Sequence, residues 1–370
     1  MGEKRWNNFG EKTELIRKNK EQIVRFGRVL KTVSKYETFF VPIPIKTLLW
    51  MYGFSKEFMY DMVFPLTALF FGTGNQTPNV SSAIFARVFT DADLKLFEYD
   101  NETLLSQAPT MFAFRELEDY YKKLVDITNA RFSFGRSAAH ITRTKKNVTV
   151  VDNNGSTSEF DEIIFACSPE TSLSMLTKPT RMERTTLGSV KFYNDVTVTH
   201  EDMDYMKKHY DLNLARNEMY FIKTYKEDPS KLEMSFDLSH YQPHISSATD
   251  RHVYQSIFLD DANSQMWTID EIDKDKILYK KWWRQFAHTW KHYVNVVPWV
   301  RFLQGKWKSW FCGSWTVVNT HEMAVISGLA VAYRLGAAYP FEDDRLASLQ
   351  FYTYLRLVHG VKPRKPRTKA

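Results

Sequence analysis

The spacing of apolar and polar positions changes twice along the chain. In "TELIRKNKEQIVRFGRVLKTVSKY", Leu15, Ile16, Ile23, Phe26, Val29, Leu30 and Val33 recur near helical spacing, with Lys and Arg on the other face. That pattern predicts an amphipathic helix. "VPIPIKTLLWMYGF" offers a proline-set entry to a second helix, Ser55 followed by Glu57 suits the start of a third, and "FRELEDYYKKLVDI" fits another. Up to about residue 125 the chain therefore reads mainly as helix.

The period then shortens. "SAAHITR", "KNVTVVD" and "SEFDEIIFACS" alternate or run apolar with β-branched residues, and Asn153-Asn154-Gly155-Ser156 separates the last two with a strong turn signal. These predict a small antiparallel meander closed by a strand that ends at Cys167-Ser168-Pro169, with a helix following in "PETSLSML". Farther on, "SVKFYNDVTVTH", "NEMYFIKTY", "KLEMSFDLS" and "HVYQSIFLD" read as strands of a second, larger sheet, and "KDKILYKKWWRQFAHTW" as a charged, Trp-rich helix. No internal repeat stands out.

Composition narrows the class. A chain of 370 residues buries a large core and normally makes two domains or one split domain. The formal charge of +7 hints at nucleic acid, but five of the positive charges (Lys362, Arg364, Lys365, Arg367 and Lys369) crowd the last nine residues. The rest is nearly neutral, so nucleic acid is not the favoured partner, and the proline-punctuated tail reads as a solvated end. Cys167 and Cys312 each sit in an apolar run, where cysteine behaves as a small hydrophobe, and two cysteines build no disulfide framework. A reducing, cytoplasmic setting is expected, in which the sequons NQT, NVS, NET, NVT and NGS are chance matches. The polar start MGEKRWNNFGEK does not read as a secretory leader. "TLLWMYGFSKEFMYDMVFPLTALFF" is interrupted by Lys56, Glu57, Asp61 and Pro65. It does not make the roughly 20 uncharged residues of a spanning helix.

The stretch "FCGSWTVVNTHEMAVISGLAVAYRLGA", residues 311–337, carries the chemistry. A short apolar run reaches Gly313, a polar loop follows, and a small-residue helix begins near His321. The first-turn N–H groups of a helix lack intrahelical partners and the macrodipole adds positive potential, so such an end suits phosphate, carboxylate or a reduced flavin. Ala324, Ser327, Gly328, Ala330 and Ala332 permit close approach of a backbone or a flat ring. A helix capped by Thr320 and packed on a strand without a ligand is the alternative.

This stretch resembles the C-terminal FAD-binding segment of the flavin-containing amine oxidoreductase family. There a strand ends in glycine plus a polar residue near the cofactor, and a later loop feeds a helix under the flavin ring. Gly313 and Ser314 match the first role, with Ser314 departing from the acidic residue or threonine common there. Thr320, His321, Glu322 and Met323 match the loop and helix start, leading into Ala324. "SAAHITRTKKNVTVVDNNGSTSEFDEIIFACSPETSLSML" resembles the family's adenine-side strand, meander and returning strand, with Ala139 where backbone groups hold the adenine. The family's opening strand–GxGxxG–helix has no counterpart before residue 70. "FFGTGNQTPNVSSAIFARVF" is a near-match that fails: Thr77 replaces the third glycine, Pro78 and Asn79 interrupt the turn, and the preceding run contains Pro65.

The remaining candidates carry less. His200, Asp202 and His209, or His240 and His244, hint at metal, but they lack a second cluster at known ligand spacing and are expected to be exposed turn or helix histidines. Trp282, Trp283, Trp290, Trp299, Trp307, Trp310 and Trp315 are expected mainly in the core. Lys191 and Lys306 receive no role. No catalytic acid–base or nucleophile set stands out.

The resemblance implies an α+β or α/β two-domain FAD-linked amine oxidase-like fold without its N-terminal Rossmann βαβ unit. The expected parts are 1–125 (helical part of the substrate domain), 126–170 (FAD-domain meander and returning strand), 171–304 (substrate-domain sheet and helices), 305–345 (FAD-binding segment) and 346–370 (terminal helix and basic tail). It further implies non-covalent FAD and oxidation of a small-molecule substrate by hydride transfer. An FAD-dependent polyunsaturated fatty acid isomerase and a non-catalytic remnant or scaffold are the alternatives.

Overall fold

The computed structural model describes residues 5–7 and 14–361 except 92–98, 103, 106–113, 115, 211, 213–218, 243–244 and 246–251. The basic tail and His244 lie outside the described residues. The chain falls into two compact units, Met1–Leu124 with Phe192–Trp290, and Val125–Lys191 with Lys291–Ala370.

In chain order the first strand is β1 (Arg5–Asn7). Helices Lys20–Lys35, Ile45–Met51, Phe64–Phe71 and Ser82–Thr90 follow. The first buries Ile23, Phe26, Val29, Leu30 and Val33, the stripe its spacing predicts. Phe26 packs against Phe54, Phe58 and Phe85 at ring separations of 5.6, 5.7 and 5.8 Å. Ser55 begins its short helix as expected, its hydroxyl accepting from Phe58 N–H at 3.1 Å. A small hairpin, β2 (Tyr99–Asp100) and β3 (Leu104–Leu105), precedes helix Leu117–Ile127.

Next come β4 (Ala138–Arg143), β5 (Val148–Asp152) and β6 (Thr157–Phe160), the antiparallel meander. The run "SEFDEIIFACS" is not one strand. It breaks at Asp161-Glu162, and β7 (Ile163–Phe165) leaves the meander. Helices Pro169–Met175 and Arg181–Gly188 follow.

β8 (Phe192–His200), β9 (Tyr220–Thr224), β10 (Leu232–Asp237), β11 (Tyr254–Phe258) and β12 (Ile277–Phe286) complete the large sheet, in the order β1-β9-β10-β11-β8-β12 and antiparallel throughout. Its inner strands are covered on both faces. Val196, Val198, Phe221 and Phe258 join Tyr205, Met206 and Tyr210 on one side. Tyr220, Ile222, Leu232 and Met234 join Ala68 of helix Phe64–Phe71 on the other. That double burial explains why these strands read as near-continuous apolar runs.

β12 overturns the helix expected over "KDKILYKKWWRQFAHTW". Lys, Leu, Arg and Gln favour a helix locally. However, Asp273 caps a tight turn at Asp275 N–H (3.0 Å), and Ile277–Phe286 then pairs along the length of β8. Tyr279, Trp282, Trp283 and Phe286 suit a pleated surface, and the ladder overrides local propensity.

The tryptophans also depart from expectation. Trp310 and Trp315 are buried, whereas Trp282, Trp283, Trp299 and Trp307 are exposed. The chain finishes with β13 (Ser309–Phe311) and helices His321–Arg334 and Arg345–His359.

Candidate functional site at two parallel strand ends

β7 and β13 pair in parallel, Ile163 with Ser309 and Phe165 with Phe311. Phe165 and Phe311 stack at 5.0 Å, and the Gln304 amide clamps Phe311 from both sides, donating to its carbonyl at 2.8 Å and accepting its N–H at 3.0 Å. Both strands end at the same edge and each feeds a helix. After β7, the Ser168 hydroxyl caps helix Pro169–Met175 by accepting from Thr171 N–H at 3.3 Å. After β13, the chain turns at Gly313 and enters helix His321–Arg334. Carboxyl ends of adjacent parallel strands are where open α/β sheets place ligands.

Gly313 has φ +131°, a conformation that favours glycine, and an added Cβ would come within 2.9 Å of the Trp315 ring. Its N–H donates to Ser327 Oγ at 2.7 Å, and its carbonyl accepts from Thr316 Oγ1 at 2.8 Å. Thr316 Oγ1 in turn accepts from the Tyr354 hydroxyl at 2.9 Å. The turn is thus pinned from both sides.

Thr320 is the N-cap: its Oγ1 accepts from Met323 N–H at 3.1 Å, and its carbonyl accepts from Ala324 N–H at 3.2 Å. Met323 and Ala324 therefore have committed amides, which leaves the N–H of Glu322 as a first-turn donor without a partner among the described residues. His321 and Glu322 are exposed, and Gly313, Ser314, Met323 and Ala324 half-buried. Ser314 Oγ lies 3.3 Å from Asn319 Oδ1. Beyond Gly328, no atom lies within 4 Å of where a Cβ would stand.

Ala139 lies on β4, apart from this turn. The β4–β5 register jumps from Ala138 to His140, so Ala139 has no paired residue on β5. β4 meets β13 through Arg143, which donates to Ser309 Oγ at 3.0 Å and forks onto the Glu183 carboxylate at 2.6 and 2.9 Å. Burial alone would raise the Glu183 carboxyl, but Arg143 and the Thr180 amide outweigh it and hold it below the usual carboxylate range. This buried pair was not read from the sequence, although Thr180 and Glu183 show the spacing of a capping box and form one.

Two of the histidines expected to be exposed are not, and His240 is half-buried. His200 and His209 are buried, as is Asp202. Asp202 N–H donates to His200 Nδ1 at 3.2 Å, which leaves the Nε2 proton for Ser256 Oγ at 2.9 Å, and burial pushes this imidazole down to about 4. His209 lies between Lys223 Nζ (3.0 Å) and the Glu271 carboxylate (2.9 Å). Among the described residues no group of three or more His, Cys, Asp or Glu is arranged to hold a metal ion. Cys312 is a buried thiol pushed up to about 11 by burial and by neighbouring Cys167.

Gly72 and Gly74 follow helix Phe64–Phe71, not a strand. Their Cβ atoms would meet Ala68 O at 2.9 Å and the Tyr193 ring at 2.1 Å respectively, so packing accounts for both glycines. Lys191 and Lys306 are exposed.

No family model and no curated protein sequence matches the chain. Solved structures do. A putrescine oxidase bound to putrescine superposes with a TM-score of 0.54 at 9% identity, over 90% of this chain and 83% of that one. A CLA-producing fatty acid isomerase from P. acnes gives 0.53 at 12% identity, over 89% and 77%. This likeness is one of fold: a mixed helix-and-sheet architecture of the amine oxidase type. Among the described residues no helix is long and apolar enough to cross a membrane.

Proposed function

We propose that this chain acts as an FAD-dependent oxidoreductase on a small organic substrate, with Gly313, Ser314 and Thr320–Ala324 at the flavin ring and Ala139 on the adenine side. The observation that carries this reading is the Gly313 turn. It lies at the carboxyl ends of two parallel strands and leads into a capped helix of 14 residues.

The residues present fit the ring end of a flavin. Gly313 presents backbone without a side chain, Glu322 offers an N–H, and the space beyond Gly328 admits a flat group. Ala139, skipped by the β5 ladder, offers backbone groups to an adenine. No GxGxxG turn between a strand and a helix occurs among the described residues, so the pyrophosphate is assigned no residues here. When bound, FAD would accept hydride from a substrate C–H, and the helix end would stabilise the negative charge that develops on the ring. The chain's own work is placement. Ser327 and Thr316 fix the turn, Thr320 orders the helix start, and no acid–base pair is required.

The test is anaerobic incubation of the FAD-supplemented protein with a panel of amines, then with polyenoic acids. Bleaching of the flavin bands by an amine supports oxidation. Double-bond migration without net bleaching would replace it with isomerisation, and neither outcome would leave the scaffold reading.

A further inference from the structure

The outer strand of the large sheet carries a surface that flavin chemistry does not use. β12 ends the strand order, so the backbone groups along its outer side have no strand partner among the described residues. Its ten residues, ILYKKWWRQF, form a long edge, and its one register shift lies at the start, between Ile277 and Tyr279. Natural edges are blunted by shortness, bulges, cover or charge. Among the described residues, charge is the device present from Lys280 onwards.

From Leu278 to Arg284 every side chain is exposed. Four are large and apolar, Leu278 (52%), Tyr279 (59%), Trp282 (51%) and Trp283 (40%). Three are cationic, Lys280, Lys281 and Arg284, and the strand contains no acid. Lysines alone would serve as edge protection. Exposed indoles on the same strand work against that protection, and such patches mark interaction sites. The rings are also partly ordered: Trp282 lies 5.9 Å from Trp267, and the Arg284 guanidinium sits 5.7 Å over Phe192.

We propose that β12 is a docking edge for an acidic, extended segment of a partner protein, added to the sheet as a further antiparallel strand. Strand addition uses the open backbone groups for affinity and alternate side chains for selection. Charge chooses among occupants. A second copy paired antiparallel about Trp282 would set Lys280 against Arg284 at both ends of the ladder, which is destabilising. A glutamate-bearing strand sets carboxylates there. Lys280, Trp282 and Arg284 alternate with Lys281 and Trp283, so each face of the strand offers a cation beside an indole. The fitting segment therefore mixes acidic and apolar residues on both of its faces. Single-stranded nucleic acid would use the charges and rings but not the backbone edge.

The probe is a fluorescein-labelled peptide of sequence EEVFEEVFEE, followed by anisotropy and by the tryptophan fluorescence of the protein. Binding should saturate. It should weaken at least about tenfold when alternate peptide amides are N-methylated, when lysine replaces each glutamate, and in the Lys280→Glu, Lys281→Glu double variant. Trp283→Thr should weaken it as well, and circular dichroism checks that both variants fold. Four results would overturn the proposal. They are no saturation at millimolar peptide, equal binding of the N-methylated peptide, binding of oligo(dT) in preference to the peptide, and self-association of the protein that the charge-reversed variant abolishes.

Discussion

Gly313 N–H donates to Ser327 Oγ at 2.7 Å, and Ser327 Oγ donates onward to the Ala324 carbonyl at 2.7 Å. One buried hydroxyl thus ties the end of β13 to the helix that follows it. Ser327→Ala removes both bonds and leaves the Gly313 amide without its partner. An unsatisfied buried donor costs about 1–3 kcal/mol, and the half-buried Gly313 amide belongs at the lower end of that range. Urea unfolding monitored by circular dichroism should show a loss of that size, and a neutral result would mean that the turn is held by other contacts.

The glycine pair at 72 and 74 offers a contrasting test. Gly74 has φ +60°, and its Cβ would stand 2.1 Å from the Tyr193 ring. Gly74→Ala combines left-handed strain with overpacking, each worth about 1–3 kcal/mol. Thermal unfolding should show a marked loss of stability. An unperturbed melt in Gly74→Ala would contradict the packing explanation and reopen a ligand role for this turn.

Opposing titrations should bend the stability profile. Burial pushes Asp195 up to about 7, partly offset by the amides of Asp260 and Gly74. The folded state then holds this proton more tightly than the unfolded state, so stability falls as pH rises from the ordinary carboxylate range towards 7. Burial pushes His200, His292 and His359 down to about 4, so each loses stability as pH falls from about 6.5 towards 4. Asp195→Asn keeps an acceptor for the Asp260 amide and removes the first effect. Relative to the parent it should gain on the order of a few kcal/mol at pH 8 and little near pH 4, read from urea midpoints at both. An equal shift at both pH values would assign the effect to packing instead of ionisation.

Where burial and local signals agree, the sequence carried the fold. The stripe from Ile23 to Val33, the Ser55 cap and the Gly313-to-His321 passage could each be read directly. β12 could not, because Lys and Arg beside aromatics leave the period ambiguous until β8 supplies the ladder. The break at Asp161-Glu162 was hidden for a similar reason: only the long-range parallel pairing with β13 separates β6 from β7. Buried polar pairs are the harder loss. Arg143 and Glu183 lie 40 positions apart, and nothing local marks them as partners. His200 looked like a turn residue because its acceptor, Ser256, is supplied by a neighbouring strand. At the candidate site the helix start was legible, but the donors were not: the Thr320 cap takes the Met323 amide and withdraws it as a donor to a ligand.

On the proposed reading the helix end after Gly313 faces a flavin ring and makes no charge-assisted bonds to the phosphates. Each charge-assisted bond absent from the phosphates forgoes about 1.5–3 kcal/mol, so FAD should bind weakly and hardly better than riboflavin. The direct measurement is a fluorescence-quenching titration of both ligands against the protein and its Ala324→Leu variant. Leucine keeps helix propensity while filling the half-buried face. Weak, saturable binding of both flavins with similar affinity, reduced at least about tenfold in a normally folded Ala324→Leu, is the predicted result. Binding unchanged in Ala324→Leu, or no saturable binding of either flavin, would contradict the assignment.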